Sequence, residues 1–337
     1  MALGEEGILA VIDRYFPREH PALLLGRGDD CAVLEAAGNI AMSTDIFAEH
    51  SHYRRSYFSA RDIGCKALAV NVSDIGAAGA RPEGLSMGLT LTGDEDEAWI
   101  CGFCEGMKEI VDAFGLAVSG GDLSRAPSQS VCVTVWGRLP DGLPAGLRRG
   151  AARAGDAVFA CGSLGLARAG LAVLEEAGGT AEGAARAKLE WPACCRQHLH
   201  PLPLAAAGMA LARFCLSRGL GGRVGLMDVS DGLARDLPRL LGSARTGLGA
   251  ELFLGRGMLH GEVLRFCTVR GLDPSLFAYV GGEDYALAGT CPAEAWTGLE
   301  RWMAACGHHV TRLGTVCPGR IKLNGAWAEE AGFDHFS

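Results

Sequence analysis

Lysine is almost absent from this chain. The 337 residues hold 4 lysines against 27 arginines, and no lysine follows a glycine. That excludes a P-loop, whose lysine reaches the phosphates from a glycine-rich turn. Neither H-R-D nor D-F-G occurs, which removes the protein-kinase machinery. Basic charge is short overall, with a formal net charge of -8. Non-specific nucleic-acid binding needs a basic surface and is not expected. Phosphate ligands stay admissible, provided that metal ions supply the positive charge. No run reaches 18 apolar residues, so no membrane span is expected. The first sixteen residues carry Glu5 and Glu6 and lack a basic segment, unlike a signal peptide. The 13 cysteines do not read as the disulfide framework of a small secreted domain, and a reducing cytoplasm is expected.

What the chain has in excess is glycine, 49 residues with no collagen-like period, which suits tight turns and close backbone approach. Length predicts two domains. The stretch LPDGLPAGLRRGA, with two prolines and three glycines, marks the boundary, giving domains over 1–140 and 150–337. Helices are predicted over 5–16, 59–79 and 94–114, where apolar residues recur at helical spacing. Strands are predicted over 31–35 and 39–43, on either side of Ala36-Ala37-Gly38, and over 83–91 and 131–137. The second half restarts with DAVFACGSLGLARAGLAVL, a strand, a glycine-rich turn and a helix. Backbone N–H groups at such a turn could meet a phosphate. A strand ending in MDVSDG, a helix over 233–241, a strand over 251–254 and YVGGEDYALAGT follow. The fold class is therefore α/β in both halves.

Six aspartates share one local grammar. Asp30 stands in GRGDDCAVL, Asp45 in STDIF, Asp74 in NVSDIG, Asp122 in SGGDLS, and Asp228 and Asp231 in MDVSDG. Each lies within two residues of Gly, Ser or Thr, at the end of an apolar segment. One such aspartate reads as a helix cap; six exceed what capping needs. If they converge, like charges about 4 Å apart repel by roughly 4 kcal/mol at an effective dielectric of 20. Carboxylates with hydroxyls form the ligand set of Mg²⁺, a hard ion that bridges phosphates. Asp228 and Asp231 share a face only if that segment is helical.

Taken together, GRGDDCAVL, STDIFAEHSHY, KALAVNVSDIGAAGARP, SGGDLSRAP, RQHLHPLPLA, MDVSDGLARDL, GGEDYALAGT and GFDHFS resemble the thiamine-monophosphate kinase family, a branch of the aminoimidazole-ribonucleotide-synthetase-like superfamily. The likeness implies ATP-dependent phosphorylation of thiamine monophosphate to thiamine diphosphate by direct in-line transfer, with several Mg²⁺ ions. It implies a homodimer whose N-terminal strands build a barrel, a C-terminal α/β sandwich, and an active site between the domains. Position by position, it implies Mg²⁺ ligation by Asp30, Asp45, Asp74, Asp122 and Asp228, assisted by Ser43, Thr44 and Asp231. Gly121, Asp122, Ser230 and Arg148 (or its neighbour Arg149) would meet ATP. His52 and Glu283 would meet the substrate. Where many members carry an aromatic residue near the C-terminus for the thiamine, this chain has Glu330, with Trp327 and Phe333 as the candidates in its place.

The alternatives are another ATP-using member of the superfamily or a catalytically silent nucleotide-binding dimer. The FDHFS ending lacks the cysteine tail of the hydrogenase-maturation branch. Residues 1–30 lack the Cys and Lys of selenophosphate synthetases. Other signals read as structural: Cys101-Gly-Phe-Cys104 in mid-helix, the acids 94–97 as a solvated helix start, and His198-x-His200 as surface or helix-end residues.

Overall fold

The computed structural model describes residues 3–26, 31–34 and 38–328. They form two compact units, 1–75 with 81–138, and 76–80 with 139–337. In the first unit the elements run α1 (Glu5–Tyr15), β1 (Leu23–Leu25), β2 (Val33–Leu34), β3 (Ile40–Ala48), α2 (Ala60–Ala77), β4 (Arg81–Leu91), α3 (Glu97–Phe114), β5 (Ala117–Arg125) and β6 (Ser130–Arg138). In the second they run β7 (Ala157–Cys161), α4 (Leu166–Glu176), α5 (Ala181–Glu190), α6 (Pro192–Leu199), α7 (Ala205–Arg218), β8 (Gly225–Asp228), α8 (Leu233–Leu241), α9 (Ser243–Thr246), β9 (Leu248–Leu252), α10 (Gly261–Arg270), α11 (Pro274–Tyr279), β10 (Leu287–Cys291), α12 (Trp296–Ala305), β11 (Val310–Pro318), β12 (Lys322–Leu323) and β13 (Ala326–Trp327). The α/β class is as expected. Among the described residues no helix is long and apolar enough to cross a membrane.

The first unit is a four-stranded sheet in the order β3-β6-β4-β5. Its residues alternate between a buried face and an open one. Val131, Val133, Val135, Leu85, Met87, Leu89 and Phe47 are buried. On the open face Met42 is 72% exposed and Ile46 60%. Gly64 of α2 and Gly106 of α3 let these two helices meet at backbone distance. A Cβ on Gly64 would lie 2.1 Å from the Phe103 carbonyl oxygen, and one on Gly106 2.0 Å from that of Arg61. α2 is buried on nearly every side, so its apolar spacing is only part of a wholly interior helix.

Four expectations change. β3 pairs with β6, and β2 with β1, so the strands flanking 36–38 do not form a hairpin. β5, parallel to β4, was not expected, because Ser119-Gly-Gly-Asp122 has poor strand propensity. Of the acids 94–97, Asp96 caps α3 through the Trp99 N–H at 2.8 Å. Glu95 is not solvated: it is buried and accepts the Thr92 and Gly93 N–H groups at 3.1 and 2.8 Å. His198 does end α6, but it is 1% exposed and not a surface residue.

The second unit is built on a seven-stranded sheet in the order β13-β12-β9-β11-β7-β10-β8. One face packs on α8 through Leu233, Leu237, Leu240 and Leu241, the other on α7 and α12 through Leu211, Phe214, Leu299 and Met303. All 13 cysteines are free. Cys104 is buried within α3, and burial pushes its thiol up to about 12, which makes it an inert core residue.

Candidate active site

The first cluster is built by β3 and α2. Period-two alternation turns Ser43 and Asp45 toward the helix. Asn71 and Asp74, three apart on α2, share the helix face that meets them. The Ser43 hydroxyl donates to Asp74 Oδ2 at 2.5 Å. The Asp45 backbone N–H donates to Asn71 Oδ1 at 3.1 Å, while Asn71 Nδ2 holds the Ala67 carbonyl at 2.8 Å. Burial, with the charge of Asp74 added, pushes the Asp45 carboxyl up to about 6. A buried carboxyl raised further by a neighbouring carboxylate is one that a bound cation would favour. Oxygen donors from Ser43, Asp45 and Asp74 are the set a hard divalent cation takes. Asn71 was not anticipated, although a polar residue three before Asp74 in an apolar helix was a readable signal.

The other expected ligands of this unit lie elsewhere on the sheet. Thr44 is on the open face, its hydroxyl 2.8 Å from that of Thr134. Asp122 shares a cross-strand row with Gly88, Cys132 and Ile46, so alternation places it on that same open face. It is exposed and accepts from the Ser124 hydroxyl at 3.3 Å. Gly121 precedes it on β5. Three strand spacings, about 14 Å, separate β5 from β3. His52 follows β3, and its Nδ1 accepts the Ala48 N–H at 3.1 Å. Its ring stands 5.7 Å from that of Phe47. Asp30, Glu330 and Phe333 lie outside the described residues.

The second cluster lies where β8 ends. Asp228 is buried opposite Leu287 of β10. Beyond it the two chains stay stitched: Val229 N–H to Ala286 O at 2.7 Å, Tyr285 N–H to Val229 O at 3.0 Å, and Glu283 N–H to Ser230 O at 2.7 Å. Ser230 and Glu283 therefore sit side by side. Residues 229–232 are not helical, so Asp228 and Asp231 share no helix face. Gly232, at φ 97°, packs with its Cα so close that a Cβ would meet the Val280 and Gly281 carbonyls at 2.8 and 2.9 Å. Asp231 turns to α8, where Arg239 donates to its Oδ2 at 2.6 Å and Arg235 approaches the same oxygen at 3.9 Å. Its N–H is held by the buried Asp236 at 2.9 Å.

The glycine-rich turn before α4 does not present open N–H groups to a phosphate. Asp284, fully buried, fills it: its carboxylate accepts Gly165 N–H at 2.5 Å and Ala167 N–H at 2.9 Å. Burial pushes this carboxyl up to about 7 against the lowering pull of those N–H groups. An internal anion has taken the helix N-terminus that sequence reading left for a ligand. The flanking Glu283 and Tyr285 both adopt positive φ, 62° and 48°. Arg148 and Arg149 are exposed, and the Arg148 carbonyl lies beside Gly225 at the start of β8, the end away from Asp228. Trp327 is on edge strand β13, six strand positions from β8, about 29 Å away, so it is not brought to Glu283.

Comparisons with known proteins bear on the family. Residues 28–139 match the family model described as AIR synthase related protein, N-terminal domain. The chain is 33% identical to the thiamine-monophosphate kinase of Escherichia coli (strain K12), over 87% of this chain and 84% of that protein. It is 32% identical to that of Mycobacterium tuberculosis, over 99% and 93%. The crystal structure of thiamine-monophosphate kinase from Stenotrophomonas maltophilia K279a superposes with a TM-score of 0.80 at 30% identity, over 97% of this chain and 99% of that one. A structure described as AaThiL complexed with AMPPCP and TMP superposes at 0.72 with 28% identity, over 100% and 99%. Hydrogenase maturation protein HypE, at 22% identity and 0.71, shares the fold. On the relatives that match at 30% identity or more over most of its length, the chain belongs to the thiamine-monophosphate kinase family.

Proposed function

We propose that this protein transfers the γ-phosphate of ATP onto the phosphate of thiamine monophosphate, giving thiamine diphosphate, by direct in-line displacement. The observation that carries the reading is the paired carboxylate corner of Asp45 and Asp74, with Ser43 bonded to it, in a chain matched over nearly its whole length by a relative solved with AMPPCP and TMP. The acceptor is already a phosphate oxygen, so no general base is needed to unmask it. The difficulty is holding two polyanions in line, and phosphoryl transfer is largely a matter of positioning and charge neutralisation.

The donor set fits Mg²⁺. Asp45 and Asp74 with Ser43 would hold one ion on β3 and α2; by the resemblance, Asp30, Thr44, Asp122 and Asp228 would be further ligands, Thr44 and Asp122 from the open face of the sheet. Asp231 has one oxygen on Arg239 and offers Oδ1 to a further ion. When bound, the ions neutralise phosphate oxygens and template the donor. The chain's own groups do the rest. Gly121, Ser230 and Arg148 contact ATP, and His52, Glu283 and Phe333 contact the substrate. The domains over 1–140 and 150–337 then divide the work, the first binding metal and nucleotide, the second contributing Asp228, Ser230 and Glu283.

The open sheet face supports reading the protein as a homodimer. Met42 and Ile46 expose apolar surface beside Thr44 and Thr134, on the face that Asp122 shares from β5, and β3 and β5 are edge strands. A second copy closing this face into a barrel removes the edges and surrounds Asp122 and Thr44 with protein. A cytoplasmic setting fits the free cysteines.

The test is incubation of the purified protein with ATP, Mg²⁺ and either thiamine monophosphate or free thiamine, followed by product separation. Thiamine diphosphate from the monophosphate alone is expected. Phosphorylation of free thiamine, or no product from either, overturns the proposal.

A further inference from the structure

The loop that carries Glu283 is held in a conformation it would not choose. Glu283 and Tyr285 both lie at positive φ, 62° and 48°, where L side chains are uncommon. Such backbone persists only where the surroundings over-determine it, and it gathers at functional sites. Three contacts fix this loop. The Glu283 N–H donates to Ser230 O at 2.7 Å. The Asp284 carboxylate caps α4, and Gln197 Nε2 donates to the Asp284 carbonyl at 2.7 Å. These settle the backbone and leave the Glu283 side chain.

That side chain meets His198, the neighbour of Gln197 at the end of α6. His198 is 1% exposed and its Nδ1 stands 3.1 Å from Glu283 Oε2, while Glu283 is 27% exposed. The ring nitrogen and the carboxylate oxygen stand close without being aligned as a hydrogen bond. α6 is itself clamped. Glu262 accepts the Ala193 and Cys194 N–H groups at its start, at 3.1 and 3.0 Å. Gly170 of α4 lets it approach so near that a Cβ there would lie 2.9 Å from that of His198. The imidazole thus has little room to move.

We infer that His198 is a positioning residue for Glu283: packed against one carboxylate oxygen from the protein side, it limits the directions in which the side chain can turn toward the substrate. This rests on the reading of Glu283 as a substrate contact. The occupant it suits is thiamine monophosphate, whose aminopyrimidine offers an exocyclic NH2 and whose thiazolium is cationic, since a carboxylate attracts either feature. A glutamate left to itself loses rotamer freedom when substrate binds; one already held by His198 does not. The device acts on ground-state binding, so its signature is in KM for the monophosphate and not in kcat.

The test is steady-state kinetics with thiamine monophosphate and ATP varied separately, alongside thermal melts. His198→Ala is expected to raise KM for the monophosphate about tenfold or more, with kcat and KM for ATP moving less than about threefold. His198→Asn, whose amide nitrogen stands near the Nδ1 position, recovers most of the loss. His198→Ala added to Glu283→Gln costs little beyond Glu283→Gln alone, because the two act as one unit. Equal impairment in the Ala and Asn variants, with melting lowered alike, assigns His198 to packing and overturns the inference. An impaired Glu283→Gln beside a normal His198→Ala overturns it while leaving the Glu283 reading intact. A Glu283→Gln enzyme with unchanged KM removes both.

Discussion

Asp45 and Asp74 occupy a corner that two carboxylates would avoid without a cation. Ser43 donates to Asp74, and burial with the charge of Asp74 raises Asp45 to about 6. An ordinary cap such as Asp96 on α3 differs in that its side chain accepts a backbone N–H, that of Trp99. Asp74→Asn keeps the side chain's shape and its bond to Ser43 but removes a charge. Turnover should fall by roughly 10²–10³, with a melting temperature close to wild type; near-normal rates at saturating Mg²⁺ contradict the assignment. Exposed Asp122 carries a cleaner version: Asp122→Asn disturbs no buried contact, so lost activity there cannot be ascribed to unfolding. The aspartates were legible in the sequence because Gly, Ser and Thr neighbours mark strand ends and helix starts. Their separation was not. Which face of β5 Asp122 takes depends on pairing register with β4, and register is a property of two strands at once.

At the scale of elements, the glycine-rich turn before α4 shows how a correct local reading can miss the occupant. The turn and the helix stand where the sequence puts them. The anion at the N–H groups is Asp284, 119 residues downstream of Gly165, and no local pattern names a partner that distant. Asp284→Asn puts an amide N–H against a backbone donor and should cost about 1–3 kcal/mol. It also removes a titration. The carboxyl titrates near 7 in the folded chain and near 4 unfolded. Between those values the folded form binds the extra proton, so its contribution to stability is full below about pH 4 and lost as pH rises to about 7. Denaturant titrations at pH 5 and pH 7 should show wild type losing roughly 2 kcal/mol relative to Asp284→Asn; a gap that does not change with pH contradicts this. Gly232 is the other hinge of the loop pair. Gly232→Ala drives a Cβ to 2.8 Å from a carbonyl at a positive φ, and should cost about 1–3 kcal/mol and weaken binding through Ser230 and Glu283.

For the whole molecule, LPDGLPAGLRRGA, where prolines and glycines interrupt two apolar patterns, is the reason to propose a division into 1–140 and 150–337, while the compact units run 1–75 with 81–138 and 76–80 with 139–337. The open sheet face was not readable in the sequence, because Met42, Thr44 and Ile46 alternate with Ser43 and Asp45 in a strand that reads the same whichever face is covered. If a second copy covers it, Ile46→Asp places a charge in a buried seam. Sedimentation should then report monomer where wild type gives dimer, and activity should fall with it; a wild-type chain that sediments as a monomer at micromolar concentration removes the barrel. The central claim, that acids and divalent ions together carry a phosphoryl group between two anions, meets its most direct test in one measurement. Purified protein is given γ-labelled ATP and thiamine monophosphate with Mg²⁺ or with a chelator in excess, and the label is followed. Labelled thiamine diphosphate only where the metal is present is the predicted result; label transferred equally without it, or label that never reaches the acceptor, contradicts the account.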